Sequence, residues 1–307
     1  MRKVLEIELE KLMKKNEKII IINADLAKAA GLTELTNKFR SRCFNVGVAE
    51  QNMAGIAAGI SSYGFIPFIF TFTPFATRRI CDQIAVSICY AGQNVKIFGL
   101  DPGISAESNG GTHMSFEDIG VIRSIPNITI FEPCDAIQFK SSLTYISDYP
   151  KTIYVRMYRK KLPKIFDDNY NFDPSCSDIL RHGNDISIFC SGIMVEESLR
   201  ACDILKKENI NAEIINIHTI KPIDKKSIIK SVRKTRCAIT AENHNKLGGL
   251  FSAVSEVLSE NIPTHVSCVA VDDEFGQVGN LNFLKKYYGL TAEKIVFKAM
   301  DLVRKKS

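Results

Sequence analysis

Short runs of β-branched and aromatic residues alternate with helix-patterned stretches along this chain; the alternation breaks once and then resumes. Ile19, Ile20, Ile21 and Ile22 stand in a row between polar neighbours. A strand apolar on both faces must be buried on both faces, which is the condition of a parallel strand covered by helices. The pattern then predicts a helix over 49–61 dense in Ala and Gly, a strand over 65–70 and a helix over 74–90. A strand over 95–100, a helix over 116–124, a strand over 128–131, a helix over 135–147 and a strand over 152–156 follow. Residues 161–184 are polar and irregular, with Pro163, Pro174, Gly183 and Asp167-Asp168-Asn169, and read as a linker. A second series follows: strand 185–190, helix 194–208, strand 212–216, helix 224–232, strand 236–240, helix 249–259, strand 264–269 and terminal helices after 280. The expectation is an α/β chain of two domains, 1–160 and 185–307, each a mainly parallel sheet flanked by helices.

The formal charge of +6 raises the question of nucleic acid. The lysines fall in helix-like or terminal stretches such as Lys14-Lys15, Lys225-Lys226 and Lys305-Lys306 without interleaved aromatics, so they read as solvated surface. Nine scattered cysteines, odd in number and without a CxxC pair, suit thiols in a reducing cytosol better than a disulfide framework or a zinc site. No apolar run approaches the length of a membrane span, and the amphipathic N-terminal stretch has no signal-peptide core. A cytoplasmic protein without nucleic-acid or membrane partners is expected.

Three segments carry chemistry. In 45–59 a single carboxylate, Glu50, opens a helix whose face is almost all small residues. Small side chains admit another backbone closely, and a carboxyl held at such an interface loses water, which disfavours its charged form; Glu50 would equally serve the helix dipole. In 71–75 two aromatics, Phe72 and Phe75, sit at the carboxyl end of a strand, where α/β sheets bind ligands, although aromatics at helical spacing also build cores. In 108–118 a glycine pair presents His113 from a loop, and histidine is the usual proton mover near neutral pH.

Order and spacing join these segments to five more. GVAEQNMAGIAAGI, TFTPF, GGTHMSFEDIG, YVRMYR, INIHTIKPID, AENHNKLGG, DDEFGQVG and YYGLT occur in succession, and the chain resembles the transketolase family from about residue 2 to 303. The resemblance implies the pyrimidine-binding and C-terminal domains of a thiamine-diphosphate enzyme that transfers two-carbon ketol units between sugars. By it, Glu50 is the catalytic glutamate that bonds the aminopyrimidine N1′ and controls its tautomer, while the cofactor supplies the carbanion chemistry. Phe72 and Phe75 cradle the pyrimidine. His113 faces the reacting oxygens of the substrate, Asp25 lies near the cofactor at a subunit interface, and Arg159 matches a substrate-phosphate arginine, with Arg2 a second.

The chain departs from that pattern at three places. Asp101 stands where a phosphate-binding histidine is expected, Asn109 where an aspartate reads a substrate hydroxyl, and Ala29 near a phosphate-contacting serine. A carboxylate at 101 repels a dianion, so the substrate-binding set His113, Asn109, Asp101 and Arg159 points to an unusual sugar unless neighbouring cations compensate. No Gly-Asp-Gly occurs in the sequence, and magnesium needs a carboxylate-bearing loop beside the diphosphate. Magnesium ligands are therefore expected on a separate diphosphate-binding subunit, most simply in an α2β2 assembly, and no metal-ligating residue is assigned to this chain. The β subunit of a 2-oxo acid dehydrogenase first component and a non-catalytic paralogue remain alternative readings. His218 and His244 are expected to be structural.

Overall fold

The computed structural model describes residues 1–306. The first series comprises α1 (Arg2–Lys15), β1 (Ile19–Asn23), α2 (Ala27–Ala30), α3 (Thr33–Lys38), β2 (Cys43–Asn45), α4 (Glu50–Ser62), β3 (Ile66–Phe72), β4 (Lys96–Leu100), α5 (Asp118–Arg123), β5 (Ile128–Phe131), α6 (Ala136–Asp148) and β6 (Thr152–Met157). The second comprises β7 (Asp178–Arg181), β8 (Ile186–Cys190), α7 (Met194–Lys207), β9 (Ala212–Asn216), β10 (Thr219–Lys221), α8 (Lys225–Thr235), β11 (Cys237–Asn245), α9 (Leu250–Asn261), β12 (His265–Val271), α10 (Leu281–Tyr287) and α11 (Ala292–Lys306). Two sheets result, in the orders β10-β5-β6-β4-β3-β1-β2 and β12-β11-β8-β9-β7. All pairings are parallel except β10 on β5 and β7 on β9, which are antiparallel at sheet edges.

The isoleucine run behaves as its pattern requires. Ile19 and Ile21 enter one apolar core, while Ile20 and Ile22 enter another on the opposite face of the sheet. Strand β2 follows β1 on one side, and the chain then crosses to place β3 on the other side. The reversal between β1 and β3 opens a crevice at the carboxyl ends of these strands, where doubly wound sheets hold ligands.

Three local expectations are corrected. The stretch expected as one helix over 74–90 turns at Pro74–Thr77, passes through a 3-10 turn (Arg78–Ile80) and becomes a π-helix (Gln83–Tyr90). The proline ring and the wider π turn explain why a simple 3.6-residue pattern misplaces it. The stretch 161–184, read as linker, contains β7, because an edge strand of four residues with alternating exposure carries little apolar signal. Strand β10, absent from the expectation, belongs to the second half of the chain yet completes the first sheet.

A fully buried ionic cluster joins the halves. Arg156 on β6 donates from Nε to Asp118 Oδ2 at 2.7 Å, from Nη2 to Asp118 Oδ1 at 3.1 Å, from Nη1 to Glu132 Oε1 at 2.5 Å, and from Nη2 to the Asn243 carbonyl of β11 at 2.9 Å. Tyr154 donates to Asp118 at 2.7 Å, and Tyr158 donates to Glu132. Asn243 in turn accepts from Ile104 N at 2.9 Å and donates to the Pro102 carbonyl at 2.9 Å. Arg156→Met should destabilise the chain by about 3–5 kcal/mol in urea unfolding, because it strands two buried carboxylates.

Both structural histidines are buried and their bonds define neutral tautomers. His218 donates from Nε2 to the Cys176 carbonyl at 2.9 Å and accepts from the Thr219 hydroxyl at Nδ1, while His244 donates from Nδ1 to the Asn245 carbonyl at 2.7 Å and accepts from Gly120 N at Nε2. Burial pushes each down to about 4 from 6.5. Between those values the unfolded chain binds protons that the folded chain does not, so stability is lost as pH falls from 6.5 towards 4. The slope should reach about 1.4 kcal/mol per pH unit for each histidine. Urea midpoints measured across this range should fall accordingly, and more shallowly for His218→Asn.

Candidate active site

The crevice is built from strand ends. Helix α4 begins at Glu50, and Met53, Ala54, Ala57, Ala58 and Ser61 form its buried side. Gly55 and Gly59 lie on its open side, with nothing within 4 Å of where a Cβ would stand. Only part of the small-residue face is therefore covered within this chain. Glu50 is 3% exposed; its Oε1 accepts from Thr71 Oγ1 at 3.3 Å, and its Oε2 accepts from Arg79 Nη1 at 2.8 Å. Its place in the first helical turn puts the carboxyl where the helix dipole favours negative charge.

Phe72 ends β3 and Phe75 follows on the turn. Their ring centroids are 6.4 Å apart at 76°, and both pack edge-on against His113, at 5.4 and 5.1 Å. His113 sits on the loop after Gly110-Gly111, with Nδ1 2.9 Å from Thr112 Oγ1. That loop is backed by the second half of the chain: a Cβ on Gly111 would lie 2.7 Å from the Gly276 carbonyl, so glycine is what lets residues 276–278 approach. The guanidinium of Arg159 lies 5.0 Å from the Phe72 centroid and pairs with Asp101, whose Oδ1 also accepts from Arg159 N at 3.0 Å. Burial raises the Asp101 carboxyl above its ordinary range, and Arg159 opposes that shift.

Glu50, Phe72, Phe75, His113, Arg159 and Asp101 thus form one continuous series of contacts, completed by Arg79 between Glu50 and Phe75. Asp25 and Asn109 stand apart from it. Asp25 is exposed at the end of β1, in left-handed backbone at φ 58°, and bonds Asn45; Asn109 is exposed on the loop before Gly110. Arg2, at the start of α1, packs its stem on Gly31. The Asp101 carboxylate, expected to repel a dianion unless neighbouring cations compensate, has such a cation in Arg159, so these two candidate substrate-binding residues occupy each other. Sequence reasoning passed over Arg79 and Thr71. The signal available for Arg79 was a cation four residues after an aromatic, just beyond a strand end.

Residues 1–164 match the model of the transketolase pyrimidine-binding domain, and residues 177–295 that of the transketolase C-terminal domain. The chain belongs to the transketolase family. It is 43% identical to the 6-deoxy-6-sulfo-D-fructose transketolase subunit SqwH of Clostridium sp. (strain MSTE9), over 95% of this chain and 91% of that one. It is 37% identical to a putative transketolase C-terminal section of Methanocaldococcus jannaschii, over 99% and 96% of the two chains. Among solved structures, a split-gene transketolase described as an inactive beta4 tetramer superposes with a TM-score of 0.90 at 36% identity, covering 99% of this chain and 97% of that one. These relatives share the two-domain, mainly parallel architecture, and this transketolase chain is a subunit of the split, β type. Transketolases depend on thiamine diphosphate, and the crevice fits its pyrimidine half: a buried carboxyl opening a helix, flanked by flat apolar rings at a topological switch point. Among the described residues no helix is long and apolar enough to cross a membrane.

Removing Arg159 leaves the Asp101 carboxyl buried without its cation. Arg159→Ala should cost about 1–3 kcal/mol in urea unfolding, and Asp101→Asn in that background should recover most of the loss.

Proposed function

We propose that this chain is the C-terminal subunit of a split transketolase that moves a two-carbon ketol unit from a ketose to an aldose, working with a separate diphosphate-binding subunit. The observation that carries the reading is Glu50: a carboxyl almost wholly enclosed at a helix start, beside two aromatic rings and a histidine in one crevice. When bound, thiamine diphosphate supplies the carbanion chemistry. In this reading Glu50 bonds the pyrimidine ring nitrogen and exchanges a proton with it, Phe72 and Phe75 hold the ring, and His113 donates to or accepts from the donor hydroxyls. Asp25 serves the interface with the partner, Asn109 the substrate. The absence of Gly-Asp-Gly from the sequence supports placing the diphosphate and its magnesium on the partner. The open glycine side of α4 supports a second chain packing there, most simply in a cytoplasmic α2β2 assembly.

Substrate charge follows from the Asp101–Arg159 pair. A guanidinium already neutralised by a buried carboxylate suits a singly charged sulfonate better than a phosphate dianion. The likeness to a 6-deoxy-6-sulfo-D-fructose transketolase subunit is consistent with this, and 6-deoxy-6-sulfo-D-fructose is the proposed donor.

The test is reconstitution. A chain of similar size bearing Gly-Asp-Gly, encoded beside this one, is co-purified and assayed with thiamine diphosphate and magnesium. Ketol transfer from the sulfonated ketose should exceed that from fructose 6-phosphate in kcat/KM, and Glu50→Gln should lower it by roughly 10²–10⁴-fold. Full turnover by this chain alone, or undiminished turnover by Glu50→Gln, overturns the assignment. Preference for the phosphorylated ketose overturns the substrate alone.

A further inference from the structure

Arg79 is the group between Glu50 and the outside. The Glu50 side chain is 3% exposed and that of Arg79 41%, so the carboxyl is covered by a guanidinium that itself reaches solvent. The coverage is built from several contacts. Arg79 Nη1 meets Glu50 Oε2 at 2.8 Å while the guanidinium carbon lies 3.7 Å from the Phe75 centroid. The backbone beneath is held at both ends, with Arg79 N donating to the Pro74 carbonyl at 3.3 Å and Gln51 Nε2 donating to the Arg79 carbonyl at 3.3 Å. The second carboxyl oxygen is already engaged by Thr71.

A guanidinium is flat, stacks on aromatic faces and presents N–H groups to a carboxyl. An aminopyrimidine is also flat, stacks on the same faces and exchanges hydrogen bonds with the same carboxyl. The arginine therefore meets the two surfaces, Glu50 Oε2 and the Phe75 ring, that such a ring would use. We propose that Arg79 is a displaceable placeholder for the aminopyrimidine: it holds Glu50 in position while the crevice is free of the ring and leaves the carboxyl when the ring enters. This rests on the assignment of Glu50 and Phe75 to the pyrimidine. Arg79 is a positioning residue, because it acts through Glu50. Its partial exposure makes departure to solvent inexpensive, whereas the carboxyl it leaves stays enclosed.

Calorimetric titration of the chain with 4-amino-5-hydroxymethyl-2-methylpyrimidine tests this directly. Every residue invoked lies on this chain, and circular dichroism verifies that each variant folds. Arg79→Met should bind the fragment about fivefold more tightly, the value of an ion pair with one exposed member. Arg79→Lys, which keeps the cation, should return the affinity towards wild type. Equal or weaker binding by Arg79→Met overturns the placeholder role. If Phe75→Ala still weakens binding in that case, the pyrimidine assignment stands. Failure of both wild type and Arg79→Met to bind at millimolar fragment overturns the two together.

Discussion

The structure depends on one buried guanidinium. Arg156 is fully enclosed and answers two carboxylates and a carbonyl drawn from α5, the end of β5 and β11. Placing a cation there without those partners would cost several kcal/mol, a large share of the net stability of a domain, so the partners must arrive together. Because Asn243 belongs to the second half of the chain and reaches both Ile104 and Pro102, the same cluster fixes how the second sheet sits against the loop that follows β4. The crevice stands on that loop, which carries Asp101 at its start and His113 at its end.

The site itself is a chain of paired charges and stacked rings. Glu50 meets Arg79, Arg79 stacks on Phe75, the two phenylalanines enclose His113, and Arg159 lies over Phe72 while pairing with Asp101. Each formal charge in the series has an opposite partner, and half-buried rings lie between them. Such an arrangement holds its side chains in place through mutual contacts, which is the condition of a preorganised site. The support comes from the far half of the chain, where residues 276–278 press on Gly110 and Gly111. The second half of the chain thereby shapes the loop that bears His113.

Much of this was legible before the fold. Ile19 to Ile22 declared a strand buried on both faces, and the alternation around it declared a parallel sheet. The small-residue helix, the two phenylalanines and the loop histidine were each visible as unusual residues at strand ends. Less legible were β7 and β10, edge strands of four and three residues whose pairing is set by the neighbouring sheet. The π-helical segment was misread for a related reason: its side chains look helical, and the extra residue per turn is imposed by the preceding turn and by packing.

The sequence by itself determined the alternation of the main strands and helices, the burial of strands such as that of Ile19 to Ile22 on both faces, and the identity of groups that can do chemistry, because each is written in local periodicity and residue type. Only the tertiary structure decided which charges meet. Glu50 and Arg79 are 29 positions apart, and Asp101 and Arg159 are 58 apart. No periodic pattern spans such distances. Their meeting depends on the register of β3, β4 and β6 and on the turn after β3, which are set by packing across the whole sheet.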